Sequence, residues 1–557
     1  MQELRDKLQK EHSHLKVERT RWEPYWSEVR DHVRTTRPRF FFNDKDKLQA
    51  ESSDYHVKLL DPQMRKASRI LRSGLHGGMT SPARPWFKLG TFDPDRNDRE
   101  EVSEFFFLAE HGMREIFRAS NVYSSLQHVY GEAANYATGP MFIVRDSKDI
   151  IRCYPMEVGE YWLGADERGM GSTLHRRCSM TVDQMAREFG VNNLSESTRR
   201  AYDNGNYQQT RNVIRALRPR RERDPNKIDN QNMPNLIAAW EEGSPKEQLL
   251  VISGANENVM VSPRWETAGY EPYGVVSPGL DAVSEGRQLQ WYAIRKAQAV
   301  DTSITPPPRG PSTLQAHEKN FFPGGVTYVD DIDLQRGGFR PVYESKPDMM
   351  PMLQDIGDVR TRINEDYYVD LFMMFQNPGV VTGDKPTAEQ IMRQHEEKMV
   401  MLGPVLDLLG RELLQPLIAR TFQIMMEGNL LPPVPEALQG QPIKVEYIST
   451  LAQAQKAVGV GSIERTIGFI GTVSTLDEGA RYRLNADEAI DEFIDQIGAP
   501  PKIVRSKDDA NELRSAEAEA AQQAQMMQAA PQMAQTAKLL SEANARGDQS
   551  LAGAGVL

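Results

Sequence analysis

The sequence predicts an α+β fold that is mainly helical. Long stretches with apolar residues at helical spacing occupy both ends of the chain, and short alternating runs between Gly and Asp turns lie between them. With 557 residues, the chain is long enough for several domains or for one extended subunit of many parts. A hydrophobic content of 39% and a charged content of 26% predict a soluble protein with a core.

Helices are expected over most of the N-terminal quarter. Residues 1–35 place Leu and Trp at roughly helical intervals and predict one amphipathic helix. A second helix is expected over 56–78, and two prolines keep 80–89 extended. A third helix is expected over 99–137. Its core candidates are Phe105, Phe106, Phe107, Met113 and Phe117.

Short strands are expected in the next part of the chain. Residues 204–232 interrupt them and carry the basic run RALRPRRERD, which we interpret as a solvated loop, with a nucleic-acid contact as the less favoured alternative. Turn residues between the apolar runs favour an antiparallel meander. The predicted strands are 141–146, 150–156, 161–166, 172–180, 236–242 and 249–254.

Two helices flanking an insert are expected after the strands. The first covers 281–302, and the second covers 345–375, with Ser345 as N-cap and Pro347 in its first turn. The insert, 303–344, is rich in Pro and Gly and contains one possible strand, VTYVDD.

A long helix is the most informative feature of the sequence. A capping box at Thr387 and Gln390 begins it, and Gly428 with Pro432 ends it. Some forty residues make a helix of roughly 60 Å, which is too long for an ordinary globular domain and indicates a strut in a large assembly. The leucines expected to line one face are Leu402, Leu406, Leu409, Leu413 and Leu417.

Two prolines interrupt this helix. Pro404 and Pro416 each remove a backbone hydrogen bond, so the helix should bend, and Gly403-Pro404 is the expected kink.

The C-terminal region is predicted to be helical after one strand at 443–450. Helices are expected over 451–472, 476–497 and 508–545, the last rich in Ala, Gln and Met and suited to packing against copies of itself. The final residues should form a flexible tail.

Motifs for catalysis are missing from the sequence. There is no GxxxxGK[ST] phosphate loop and no GxSxG elbow, so we expect no enzyme, no cofactor and no metal. The net charge of −11 argues against a protein that wraps nucleic acid. His12 and His14 are expected on the surface, and His175 and Cys178 are expected to be structural. No apolar run approaches the roughly 18 residues that span a bilayer, so no membrane contact is expected.

Several segments together resemble the portal, or head-to-tail connector, proteins of short-tailed bacteriophages. The resemblance covers about residues 1 to 500, and its order and spacing are more specific than any one segment. The segments are HGGMTSPARPWFKL at 76–89, SNVYSSLQHVYGEAANYATGPMFI at 120–143, DLFMMF at 370–375, and the stretches 387–422 and 431–457.

The resemblance implies a portal fold and an oligomeric ring, usually a dodecamer, at one capsid vertex. Such a ring is a passive conduit through which double-stranded DNA passes during packaging and ejection. The implied parts are an α/β wing with an antiparallel meander at 1–280, stem helices at 281–302 and 345–375, a β-containing clip at 303–344, a tunnel loop at 376–386, the long kinked helix with its return strand to the wing at 387–450, and a helical crown, barrel and flexible tail at 451–557.

The tunnel loop is the segment that the resemblance places nearest to DNA. Its short side chains would let it move at the narrowest point of the channel. Lys385 either touches phosphates or pairs with Asp384 or with an acid of a neighbouring subunit. The loop residues are Gly379, Val380, Val381, Thr382, Gly383, Asp384 and Lys385.

The resemblance also implies partners and a location. The ring would bind a terminase motor, a tail adaptor, scaffold and major capsid proteins, and internal ejection proteins at the crown. It would reside in the virion, and in the host cytoplasm during assembly. The alternative from another functional class is a tail or scaffold-type structural adaptor of the virion without a DNA channel.

Overall fold

A computed structural model gives the fold of the chain. Two compact units divide it, Met1–Gln455 and Lys456–Leu557. The structure describes residues 2–33, 59–93, 97, 99–220, 223–224, 227, 232–244, 249–256, 258–304, 308–309, 340–341, 349–374, 401–438, 443–448, 451, 460–474, 479, 485, 489 and 513–517. The prediction of a mainly helical α+β fold is confirmed.

The N-terminal region contains more helices than the periodicity predicted. The described part of the predicted helix 1–35, residues 2–33, forms two helices with a turn at 20–22, because Pro24 has no N–H to donate within a continuous helix. The predicted helix 99–137 also divides, at Ser120-Asn121. The helices are α1 (Gln2–Arg19), α2 (Glu23–Val33), α3 (Gln63–Met79), α4 (Glu100–Ala119) and α5 (Val122–Tyr136).

Asn121 explains the break between α4 and α5. Its Nδ2 donates to the Cys153 carbonyl at 2.7 Å, and the Cys153 N–H donates back to its Oδ1 at 2.9 Å. This side chain therefore binds a neighbouring strand rather than extending a helix. Among the predicted core residues of α4, Phe107 is 63% exposed and the prediction is wrong for it, whereas the other four are buried.

The strands form two main sheets, and the larger one is an antiparallel meander, as predicted for part of this region. A three-stranded sheet has the order β3-β2-β9, and a five-stranded sheet has the order β4-β5-β6-β7-β8, with every pairing antiparallel. Short helices α6 (Val182–Phe189) and α7 (Glu196–Asp203) follow β5. The strands are β1 (Phe87–Gly90), β2 (Met141–Asp146), β3 (Ile150–Pro155), β4 (Tyr161–Ala165), β5 (Gly171–Thr181), β6 (Thr210–Pro219), β7 (Asn235–Glu241), β8 (Val251–Ala255) and β9 (Met260–Val261).

The predicted loop 204–232 is wrong for its middle part, since β6 lies at the centre of the five-stranded sheet. Apolar residues of β6 are buried, and its arginines have acidic neighbours. Arg215 contacts Glu188 at 2.8 Å, and Arg218 lies 3.8 Å from Glu11 of α1. Such pairing lets a run of arginines belong to a strand that is covered on both faces.

Helix α1 packs on this sheet through a pair of histidines. The ring of His12 stacks on that of His175, with the two Nδ1 atoms 3.3 Å apart, and Trp162 and Trp240 present their edges to the pair. The predicted surface position of His12 is therefore wrong, because the sheet covers that side of α1. The side chain of His14 is 74% exposed, as predicted, and the structural role expected for His175 agrees with its complete burial.

Two antiparallel helices follow the sheets. Glu285 lies 4.0 Å from Arg362, and Tyr292 donates to Asp355. A later residue of the first helix thus contacts an earlier residue of the second, so the two helices are antiparallel. The second helix breaks at Tyr367-Tyr368, where Tyr368 has a φ of 53°. The elements are α8 (Pro278–Asp281), α9 (Val283–Ile304), β10 (Pro308–Arg309), β11 (Arg340–Pro341), α10 (Met350–Asp366) and α11 (Val369–Met374).

The remaining elements complete the first unit and begin the second. Helix α12 covers 401–427, and β12 (Lys444–Tyr447) pairs antiparallel with β1, which confirms the predicted strand there. In the second unit, α13 (Val460–Ser474) and residues 513–517 are helical. The strand VTYVDD, the N-cap Ser345, the capping box at Thr387 and most of the predicted C-terminal helices lie outside the described residues.

We predict that acid weakens the docking of α1. Burial, followed by the charge of His175, lowers the pKa of His12 to about 3. The unfolded pKa is about 6.5, so the contribution of neutral His12 is complete above that pH and decreases as pH falls towards 3, by at most about 1.4 kcal/mol per pH unit. Hydrogen exchange of the α1 amides, corrected for intrinsic rates, should accelerate from pH 7 to pH 5.

Two substitutions test this assignment. His12→Phe keeps an aromatic ring that cannot be charged, and it should reduce the acceleration. His14→Phe changes an exposed histidine of the same helix and should leave the acceleration as it is. Equal pH responses in wild type and His12→Phe would contradict the prediction.

Candidate functional site

The predicted tunnel loop, 376–386, lies outside the described residues, so its site residues Gly379 to Lys385 stay predictions. The structure does describe the helices on either side of it. Helix α11 ends at Met374, and α12 is helical from residue 401. The described elements nearest to this segment in the sequence are therefore α11 and α12.

The apolar face of α12 is the predicted one. All five leucines that were expected to line it are buried, at 7% exposure or less. The helix ends at Glu427 with Gly428 as its C-cap, which confirms the predicted stop. The residue with a left-handed backbone is Asn429 (φ 51°), one position after the glycine.

The described part of α12 contains one irregular turn. Residues Gly410–Leu414 form a π-helical turn that ends two residues before Pro416, whose ring nitrogen cannot donate to the preceding turn. The hydroxyl of Tyr447, on β12, donates to the Gly410 carbonyl at 2.8 Å. Residues 401–409 are α-helical, and a bend at Gly403-Pro404 stays a prediction.

A buried ion pair anchors the irregular turn to the rest of the unit. Glu412, in the π turn, faces Arg264, which follows β9. The Arg264 backbone N–H donates to Glu412 Oε2 at 3.0 Å and its Nε donates to the same oxygen at 3.2 Å. The second guanidinium nitrogen binds Oε1, so the pair is bidentate. Both side chains are buried, and Arg264 also donates to the Glu271 carbonyl at 3.0 Å.

An acidic cleft lies beside this anchor. It has a volume of about 580 Å³ and is bounded by the end of α10, by α8 and by the first turns of α12. Burial, followed by the charges of Glu285 and Asp281, raises the pKa of Asp366 to about 6. The charged residues that line the cleft are Glu266, Asp281, Asp366, Asp407 and Arg411.

The insert between α9 and α10 is closed at its base. Strands β10 and β11 pair antiparallel, with Pro308 opposite Pro341 and Arg309 opposite Arg340. The described residues near the two ends of the insert therefore lie side by side.

Sequence reasoning missed the anchor. Arg264 and Glu412 are 148 positions apart, so no local pattern joins them. One signal was present: Glu412 is a charged residue directly beside Leu413 on the apolar stripe, and a carboxylate there requires a buried partner.

The described residues contain no grouping of three or more His, Cys, Asp or Glu side chains that could bind a metal ion. Within the same part of the chain, no helix has the length and apolar character needed to cross a membrane.

The chain belongs to the family of bacteriophage head to tail connecting proteins, whose model matches residues 5–504. It is 39% identical over 538 residues to the portal protein of Salmonella phage epsilon15, covering 97% of this chain and 95% of that protein. It is 35% identical over 537 residues to the probable portal protein of Bordetella phage BPP-1, covering 96% and 95%. The predicted portal class is confirmed, and a structural family agrees with the expectation of a non-enzymatic role.

Solved structures show weaker similarity. A chain of the virion of a native gene transfer agent particle matches 85% of this chain and 99% of its own length, with 9% identity and a TM-score of 0.33. A chain of the neck of an empty gene transfer agent particle, computed with C6 symmetry, matches 84% and 96%, with 11% identity and a TM-score of 0.33. At these scores the similarity supports no argument about this chain.

We predict that removing one partner of the anchor destabilises the first unit strongly. Glu412→Ala leaves the buried Arg264 charge uncompensated and should lower the free energy of unfolding by about 3–5 kcal/mol. Urea unfolding of the full chain measures the change. Glu427→Ala, an exposed acid on the same helix, should change it by less than about 0.5 kcal/mol.

The double variant Arg264→Met/Glu412→Met distinguishes the cost of an unpaired buried charge from the cost of lost side-chain packing. It should recover most of the loss, since two apolar side chains of similar length leave no charge unpaired. If Glu412→Ala is no more damaging than Glu427→Ala, the anchor does not hold the helix.

Proposed function

We propose that this chain forms a ring at one vertex of a phage capsid and that the ring is a passive conduit for the genome during packaging and ejection. The observation that supports this most is the match to portal proteins along nearly the whole chain, 97% and 96% of it in the two relatives. Because the similarity extends over nearly the whole chain, it concerns the complete architecture and not a single shared domain.

The parts of the ring subunit are assigned from the sequence and supported by the described contacts. Residues 1–280 form the wing, and α9 with α10 form the stem. The insert 303–344 is the clip, and its closed base at β10 and β11 supports that assignment. Residues 376–386 are the tunnel loop. The Arg264–Glu412 anchor supports a long helix that runs from the loop back into the wing.

Partners follow from these assignments. The ring has twelve copies, and double-stranded DNA passes through its centre. The clip binds the terminase motor and later the tail adaptor, while the wing meets scaffold and major capsid proteins. Internal ejection proteins bind at the crown formed by 451–557. Assembly takes place in the host cytoplasm.

The charge of the chain suits a conduit. A net charge of −11 repels phosphates and limits the tight, salt-sensitive binding that a basic channel would give.

We predict that deleting residues 377–385 distinguishes a portal with a DNA channel from a structural adaptor without one. The deletion removes the loop proposed to meet DNA but none of the described elements. Light scattering should still give a mass far above 63.0 kDa, and negative-stain images should still show rings. Packaging or DNA retention in infected cells should fall.

A matched control is Lys385→Ala within the intact loop, which tests whether a cation at that point contacts phosphates. Normal DNA retention after the whole deletion would favour the adaptor without a channel. A wild-type chain that remains a monomer in every buffer and in infected cells would overturn the ring itself.

A further inference from the structure

Helix α3 carries a basic surface in an acidic chain. Its sequence, QMRKASRILRSGLHGGM, contains no Asp or Glu. Its core side packs inward through Met64, Ala67, Leu71 and Leu75, which are all buried. The opposite side is exposed at Lys66, Arg69, Ser73 and Gly77, at spacings of three and four that form one stripe. We call Arg65, Lys66 and Arg69 the basic stripe.

The basic stripe has no acidic partner in the part of the chain that the structure describes. Arg65, Lys66 and Arg69 form no ion pair with any described residue. Other arginines differ: Arg264, Arg19 and Arg360 each contact a carboxylate. Three cations on one helix therefore have no carboxylate partner among the described residues, in a chain whose net charge is −11. Such a face is suited to an acidic surface.

The acidic cleft presents the complementary charge. Glu266, Asp281, Asp366 and Asp407 line it, and none of them forms an ion pair with another described residue. Burial first, and the neighbouring carboxylates second, raise the pKa of Asp281 as well as that of Asp366. Among the described residues, Arg411 lines the cleft and Arg362 lies near Asp366.

The stripe and the cleft lie on opposite sides of α10, so they cannot meet within one subunit. Gln63, at the start of α3, donates to Asn364 Oδ1 at 2.7 Å, which places α3 on the Asn364 side of α10. Asp366 is two residues later, about 200° around the helix axis. The cleft is therefore on the side of α10 that faces away from α3.

We propose that the basic stripe of one copy docks in the acidic cleft of the next copy. Two different surfaces on opposite sides of one element form a head-to-tail contact, which closes into a ring when the rotation between copies allows it. The inference rests on the ring proposed above and names the surfaces that join its subunits. It places ion pairs between Lys66 or Arg69 and Asp281 or Asp366 at every subunit boundary.

A charge-swap experiment tests the pairing. Lys66→Glu/Arg69→Glu gives the stripe negative charges, which the acidic cleft repels. Asp281→Lys/Asp366→Lys gives the cleft positive charges, which the basic stripe repels. Each variant alone should raise the concentration needed for half-assembly at least tenfold, measured by mass photometry and analytical ultracentrifugation. Placing all four changes in one chain restores opposite charges at every boundary and should restore rings.

Mixing the two double variants gives a second test. In an equimolar mixture, the boundaries of an alternating ring join, in turn, a native stripe to a native cleft and a reversed stripe to a reversed cleft, so every boundary has opposite charges. Rings should therefore form from two chains that do not assemble alone. Arg168→Glu/Arg199→Glu, two exposed arginines outside the stripe, changes the net charge equally and should assemble like wild type. Circular dichroism and thermal unfolding establish that each variant is folded, and Asp281→Asn/Asp366→Asn replaces the lysine variant if that one unfolds.

The outcomes distinguish this interface from the proposed function. Rings formed normally by both double variants would overturn the pairing and leave the portal ring intact. If Lys66→Glu/Arg69→Glu forms rings of normal stability but loses DNA packaging, the pairing is overturned and the stripe instead contacts DNA. Loss of assembly without rescue in either the four-change chain or the mixture would also overturn it. Absence of rings from wild type would instead refute the proposed function.

Discussion

The buried pair of Arg264 and Glu412 is the contact on which the position of the long helix depends. Transferring two charges out of water is unfavourable, and the pair offsets that cost only because its geometry is bidentate and the Arg264 backbone N–H adds another hydrogen bond. A helix seated by leucines alone could slide or rotate against an apolar surface with little change in buried area. A helix whose carboxylate must reach one guanidinium can pack in only one register. The leucines thus supply most of the stabilisation, and the ion pair supplies the register.

The π turn explains how the carboxylate reaches its partner. An extra residue in one turn shifts the side chains that follow it, and Pro416 makes this arrangement less costly because its nitrogen could not complete the regular hydrogen bond. The Gly410 carbonyl accepts both the Gln415 N–H within the turn and the Tyr447 hydroxyl, and the second bond ties the helix to the β1–β12 pair as well. One irregular turn therefore connects α12 to two separate parts of the unit.

Periodicity predicted the parts of the fold that local sequence decides. The five leucines of α12, the helix end at Gly428 and most of the strands are as the spacing indicated. It failed where a distant partner decides the outcome. The basic run in β6 belongs to a strand because Glu188 and Glu11 neutralise it, and His12 is covered because β5 supplies His175. The anchor, with 148 positions between its members, is the extreme case, so a sequence could predict the helix but not its register.

The distribution of charge connects assembly with transport. Arginine and lysine side chains that remain accessible along a channel would bind phosphates, and each such contact would slow a duplex that has to move through. Arginines such as Arg19, Arg264 and Arg360 are held by carboxylates, whereas the cations of the basic stripe of α3 form no ion pair with a described residue. If the stripe is used between subunits, its cations are neutralised at the same step that creates the channel. A subunit could then carry enough positive charge to find its neighbour and still form a ring that does not hold DNA.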